Sequence, residues 1–314
     1  MARRARRPVT GESRILAIAW LWIPITIGAA LAQTFRNATQ RSLTGDLGML
    51  GATLIRFLYG LPFAALWLLL LLVATRASLP PLSLAFVAWT LIGAIAQIAA
   101  TAFLLRVMAM RNFAIGVAYS KTEVVQVAIF GILLLREVPS AVAALAIALA
   151  TFGVVILAAP QDARRLKTWL SPSAVLGLAS GASFAISAIG YRAAALSLPS
   201  SPIVAAAATL AFAQLSQTIM LGGYLQLREP AVVAAVFRTW RVSMLAGFLG
   251  ATASAGWFTA FALEPVAHVR TLGLIELLFS YAVSRRIFRE HLAPKELIGF
   301  LLLALGLVGV TLSP

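Results

Sequence analysis

The chain has 314 residues, of which 61% are hydrophobic and only 11% charged. Soluble domains are roughly 45–50% apolar and about 25% charged, so a water-soluble fold cannot hide this much apolar surface, and lipid is the solvent for much of the chain. The net charge of +15 does not mark a nucleic-acid binder, because the basic residues are scattered through short connections and form no stripe with interleaved aromatics; the lack of cysteine excludes disulfides, thiolate nucleophiles and Cys-based zinc sites.

Residues 1–14 form a basic tail with Arg3, Arg4, Arg6 and Arg7. The apolar run that follows, Ile15 to Ala32, ends in Ala30-Leu31-Ala32 and resembles a secretory signal with its cleavage site. The run is long for a signal and is read as a membrane span. Apolar runs of comparable length then recur, each bounded by charge, Pro or Gly. They predict helices at 15–36, 49–73, 84–106, 113–135, 138–159, 172–197, 202–226, 242–263, 266–288 and 295–312. Each can cross a hydrocarbon core of roughly 30 Å at about 1.5 Å per residue. The runs are rich in Leu and Ala and much longer than the alternating segments of a barrel strand. The expected fold is therefore an all-α integral membrane protein of ten transmembrane helices. The longest expected connections are 37–48, 160–171 and 227–241, too short for a folded soluble domain.

An internal repeat divides these spans. With a shift of 153 residues the second half overlays the first without gaps from the third span to the end of the fifth. Thr90 then meets Ser243, Thr101 meets Ser254, Glu123 meets Glu276, Arg136-Glu137 meets Arg289-Glu290 and Gly153 meets Gly306. A shift of 156 aligns Phe35-Arg36-x-Ala38 with Tyr191-Arg192-x-Ala194. The expected domains are a first five-helix repeat over 15–159, a linker over 160–171 and a second five-helix repeat over 172–312. Five is odd, so the halves insert with opposite orientation, the arrangement of many secondary transporters, whose site lies near the midplane between the repeats.

Two halves whose fourth helix ends in Arg136-Glu137-Val138 or Arg289-Glu290-His291-Leu292, each followed by a Gly-bearing fifth helix, resemble the EamA-type branch of the drug/metabolite transporter superfamily. The resemblance covers nearly the whole chain and implies a ten-helix basket around a central cavity. It implies a carrier for amino acids, nucleotide derivatives or other metabolites, with export slightly favoured. The first copy departs from the pattern with Val138-Pro139-Ser140 after its Glu. Lys121 and Glu123 also stand where the family is usually apolar with a proline.

Four ionisable residues fall well inside predicted helices: Arg56, Lys121, Glu123 and Glu276. Facing lipid, each would cost about 2.5–3.5 kcal/mol at a helix centre, so they are expected to face the bundle interior, pair or snorkel. Tyr119, Glu123 and Gln126 form one polar helix face, suited to proton coupling or to a substrate ammonium group; a structural ion pair is the other reading. Glu276 is the repeat mate of Glu123. Lys121 lies about 200° from Glu123 around an unbroken helix and should not share its face. It is expected to bind a substrate carboxylate, to pair with Glu276 or to extend toward the interface. Arg56 has the same ambiguity. Gln97 and Trp257 line a cavity or pack helices, Gln214 and Gln217 face inward, and Arg36 and Arg192 anchor helix ends at the interface or rim a cavity.

The residues expected to bind substrate or couple its movement are Glu123, Glu276, Lys121, Arg56, Tyr119, Gln126, Gln97 and Trp257. No catalytic, metal or cofactor site is expected. His268, His291, Asp46 and Asp162 lie in or near connections, and no HExxH, phosphate-cradling loop or Ser-His-Asp set is present. The expected function is secondary transport of a small polar, amino-acid-like metabolite by alternating access, with possible proton coupling. A multidrug or cation efflux carrier, a membrane-embedded enzyme and a non-transporting assembly protein are the alternatives. The expected partners are a small-molecule substrate and membrane lipid, with the chain as monomer or homodimer. Loop charges favour an outside N-terminus, whereas the basic tail and the resemblance favour an inside one. With the first helix dominant, both termini are expected on the cytoplasmic side of the cell inner membrane.

Overall fold

The computed structural model describes residues 20–110, 113, 117, 120–158, 171–287, 289 and 296–312. The basic tail, most of the expected linker, Tyr119, Glu290, His291 and Lys295 lie outside them. The described chain is all-helical, without a strand. Its helices are α1 (Trp22–Leu58), α2 (Leu61–Thr75), α3 (Leu84–Met110), α4 (Glu123–Phe130), α5 (Ala141–Ala158) and α6 (Pro172–Leu196). There follow α7 (Pro202–Arg228), α8 (Pro230–Arg238), α9 (Trp240–Leu263), α10 (Val266–Leu272), α11 (Glu276–Arg286) and α12 (Glu296–Leu312). Prolines open α6, α7 and α8, where the missing N–H is not needed by the helix. The Ser171 hydroxyl caps α6 by accepting from the Ala174 N–H.

Among the described residues, six helical segments are long and apolar enough to cross a membrane, and shorter apolar helices run over Glu123–Leu135, Ala141–Ile156 and Leu301–Leu312. The surface is inverted relative to a soluble protein. Leu69, Leu70 and Val73 on α2, Leu145 and Phe152 on α5, and Leu301, Leu305 and Val308 on α12 are exposed. Arg36, Asn37, Gln40, Arg56, Gln97, Lys121, Glu123, Gln214, Gln217 and Glu276 are buried. An apolar exterior around a polar, charged interior is stable in hydrocarbon, and the chain is a multi-pass membrane protein.

Three helix pairs make the largest interfaces: α3 with α6, α1 with α9, and α5 with α12. The last brings the backbones close together. A Cβ on Gly153 would come within 2.7 Å of the Gly299 carbonyl oxygen, and one on Gly306 within 2.5 Å of Ala150 Cβ. Small residues allow this approach, which supplies the van der Waals contact that drives association in lipid.

The structure corrects three sequence expectations. The segment 37–48 is helical through Leu47, with Asn37, Gln40, Leu43 and Leu47 turned inward and Ser42 and Asp46 exposed. Gly48, at φ +66°, kinks the chain there, a conformation that favours glycine. The Gln40 amide spans the kink and donates to the Ala52 carbonyl at 2.7 Å. Residues 227–241 contain α8, a short helix that buries Val236 and packs on α1. The run expected as an unbroken helix at 113–135 has a turn at Lys121-Thr122, whereas the one at 266–288 continues from Val266 to Arg286 and only tightens to 3₁₀ at Gly273–Ile275.

Replacing Gly306 with Val should wedge α5 and α12 apart and destabilise the fold by roughly 1–3 kcal/mol, the usual cost of overpacking. Thermal unfolding of the detergent-purified variant reads this as a lowered midpoint; an unchanged midpoint would show that the close approach is dispensable.

Candidate functional site

Both buried glutamates stand beside a local change of helix geometry. Glu123 opens α4 after the turn at Lys121-Thr122, and Glu276 follows the 3₁₀ turn Gly273–Ile275, which tightens a helical run that continues from Val266 to Arg286. Gly181 of α6 lets that helix press on the turn before Glu123: a Cβ at this position would sit 2.9 Å from the Ser120 carbonyl oxygen and 3.0 Å from the Glu123 nitrogen.

The two carboxylates meet at one ammonium. Lys121 Nζ lies 2.5 Å from Glu276 Oε2 and 3.6 Å from Glu123 Oε1. Pairing with Glu276 is one of the roles the sequence offered Lys121. Its simultaneous approach to Glu123 overturns the expectation that the two cannot share a face. That expectation assumed an unbroken helix, and the turn between them removes the 200° separation. Glu276 is further held by α1: Gln33 Nε2 donates to its Oε2 at 2.7 Å and Asn37 Nδ2 to its Oε1 at 3.0 Å. Trp257 Nε1 donates to Gln33 Oε1 at 2.8 Å, which joins α9 to the network. Arg270 Nη1 approaches Glu123 Oε1 at 3.5 Å, and its guanidinium lies over the Trp257 and Phe261 rings, 4.8 and 5.0 Å from their centroids. Glu123 Oε2 has no hydrogen-bond partner among the described residues. Glu276, Glu123, Lys121 and Arg270 are 0%, 1%, 4% and 5% exposed, so the cluster is occluded.

A second polar layer lies beside it. Arg56 donates to Thr101 Oγ1 at 3.0 Å and to Ser254 Oγ at 3.4 Å, the hydroxyls of two residues related by the sequence repeat. Gln97 Oε1 accepts from Tyr191 Oη and from Gln217 Nε2, each at 2.9 Å. Arg36 Nε and Nη2 donate to Asn37 Oδ1 at 3.2 and 2.6 Å. Arg36 and Arg192, expected as interface anchors, are both buried. Arg192 instead ties three elements together. Its Nε pairs with Glu137 at 2.5 Å, and its Nη1 donates to the carbonyls of Phe261 and Glu264 at the end of α9.

Of the residues expected at the site, Glu123, Glu276 and Lys121 meet directly, and Trp257 joins them through Gln33. Arg56 and Gln97 belong to the second layer. Gln126 lies one turn along α4, half-buried, with its Oε1 unbonded, and Tyr119 is outside the described residues. Sequence reasoning missed Gln33, Asn37 and Arg270. The first two carried a signal: Gln33, Arg36, Asn37 and Gln40 recur at three- and four-residue spacing, one stripe of a helix. Arg270 had none, since it stands near a connection and reads as a loop charge.

No family model matches the sequence, and no curated protein matches it. The fold has known counterparts. Among 14 matching chains of solved structures is a crystal structure described only as that of a protein. It is similar over 93% of this chain and 96% of its own, with a TM-score of 0.68 and 16% identity, a likeness of fold alone.

Lys121→Met should strand two buried carboxylates, a loss of about 3–5 kcal/mol for breaking a buried pair. Adding Glu276→Gln should recover part of that stability. Thermal unfolding of the two variants measures both; equal destabilisation in single and double variants would show that Lys121 is not held by charge.

Proposed function

We propose that the protein is a secondary carrier that moves a small polar, amino-acid-like metabolite across a bacterial-type inner membrane by alternating access. The observation that carries this reading is the buried charged cluster in which Glu123 and Glu276, from distant parts of the chain, meet at Lys121. Ionisable groups turned into the interior of a helical membrane bundle mark solute and ion pathways.

Other features support the inverted-repeat architecture behind the mechanism. Taking the two sides of the Gly48 kink as separate crossings, and α10 with α11 as one, gives ten spans, five before and five after the 160–171 linker. Under the repeat, the third and sixth spans exchange with the eighth and first. Those two pairs, α3–α6 and α9–α1, are the two most extensive interfaces. The fifth and tenth spans, α5 and α12, pack on each other, as a pair lying on the pseudo-axis would. Arg136 and Arg289, mates at the 153 shift, both adopt left-handed backbone, at φ +58° and +53°. This kinship is at the level of the EamA-like resemblance and extends to no particular substrate.

Within this reading the two carboxylates differ. Glu276 is saturated by Lys121, Gln33 and Asn37, whereas Glu123 keeps one oxygen unbonded, so Glu123 is the group free to take a proton or a substrate donor. A cation efflux carrier fits less well, because both carboxylates already have internal cationic partners.

Glu123→Gln should abolish gradient-driven flux in proteoliposomes while circular dichroism shows unchanged helix content. Flux at the parent level in that variant would remove the coupling role of Glu123. Absence of solute movement by the parent under any imposed gradient would remove the carrier reading.

A further inference from the structure

The charges of the central cluster do not balance. Among the described residues it buries four cations, Arg36, Arg56, Lys121 and Arg270, against two anions, Glu123 and Glu276. Both anions are already engaged, Glu276 by Lys121 and Glu123 by Lys121 and Arg270. Arg36 has no ion pair of its own and reaches the already shared Glu276 only through the Asn37 amide, while Arg56 has the hydroxyls of Thr101 and Ser254 and the face of Phe57, 5.4 Å away. Arg36 Nη1 and Arg56 Nε are buried with no hydrogen-bond partner among the described residues, and their residues are 0% and 2% exposed.

These two side chains are neighbours. Both pack against Gly250 of α9: a Cβ at that position would lie 3.2 Å from Arg56 Cγ and 3.4 Å from Arg36 Cδ. An arginine does not discharge by losing its proton, and a buried cation without a counter-ion is among the most costly arrangements a fold can hold. Its planar donor fork matches a carboxylate or a phosphate.

We infer that the transported solute is a small organic anion whose carboxylate or phosphate supplies the negative charge that Arg36 and Arg56 lack. This rests on the carrier reading above and narrows its substrate class. Up to two negative charges on the solute bring the cluster to neutrality. A permanently cationic solute would add to an uncompensated positive charge, so the site selects against it.

The test uses the detergent-purified full chain and five probes: sodium succinate, sodium glutamate, inorganic phosphate, leucine and tetraphenylphosphonium. Binding is read as a shift in unfolding temperature, and uptake of the same radiolabelled solutes is read in proteoliposomes. At least one of the three anions should raise the unfolding temperature and be moved. Succinate or glutamate without phosphate marks a carboxylate site, and phosphate alone marks a phosphate site. Arg36→Gln and Arg56→Gln should each weaken that anion's binding at least tenfold with helix content retained, and Arg36→Lys should keep part of it. Leucine or tetraphenylphosphonium bound and moved, with no response to any anion, would overturn the inference and leave the carrier reading standing. Anion binding without movement of any solute would keep the site and overturn the carrier reading; no response to any probe would overturn both. Anion binding at parent strength in both helical Gln variants would remove Arg36 and Arg56 from the site.

Discussion

The structure depends on one ammonium held between two carboxylates in a medium that solvates neither. Leaving Lys121, Glu123 or Glu276 alone in hydrocarbon is costly, and so is burying any of them unpaired in protein. Together they are tolerable, and they must then stay together. The segments bearing them, α4 with the turn before it and α11, are drawn to the same point. Gln33 and Asn37 of α1 and Trp257 of α9 close the remaining hydrogen bonds around that point. The apolar outer walls of α2, α5 and α12 impose little geometry of their own, since lipid tails and leucine side chains are nearly equivalent neighbours.

The turn at Lys121-Thr122 solves a problem that a continuous helix would leave. In an unbroken helix Lys121 and Glu123 point to different sides, and one of them would face lipid or the wrong neighbour. With the turn both reach the centre, and α4 starts on a carboxylate. Glu276 needs no such turn, because Lys121 comes to it from the other segment. Freed backbone groups inside a membrane need internal partners, and the close approach of α6 at Gly181 keeps the turn packed in protein.

Much of this was legible in the sequence, for identifiable reasons. Long apolar runs mark helices because hydrocarbon penalises every unpaired backbone group. Intramembrane charges mark the interior because they cannot face lipid, and Glu123, Glu276 and Lys121 accordingly share one cluster. The same logic misled at α1, where Arg36, Asn37 and Gln40 were read as the end of a span, although the rule that turns Glu123 inward applies to them equally. Periodicity could not reveal the turn at Lys121-Thr122, because no glycine or proline marks it. Arg270 was illegible for a different reason: its burial over Trp257 and Phe261 depends on α9 lying beside α10, which is a tertiary fact.

The charged centre is also lopsided with respect to the repeat. Glu123 and Glu276 are mates, but the counterpart of Lys121 is Leu274, that of Arg270 is Val117 and that of Arg56 is Phe212. Arg36 does have a mate in Arg192, yet that residue is neutralised by Glu137. Two halves of unlike chemistry cannot trade places without a change in energy. On the proposed carrier reading, in which the halves exchange conformations, the resting population leans toward one face of the membrane, and that lean is written into three unmatched side chains rather than into the backbone.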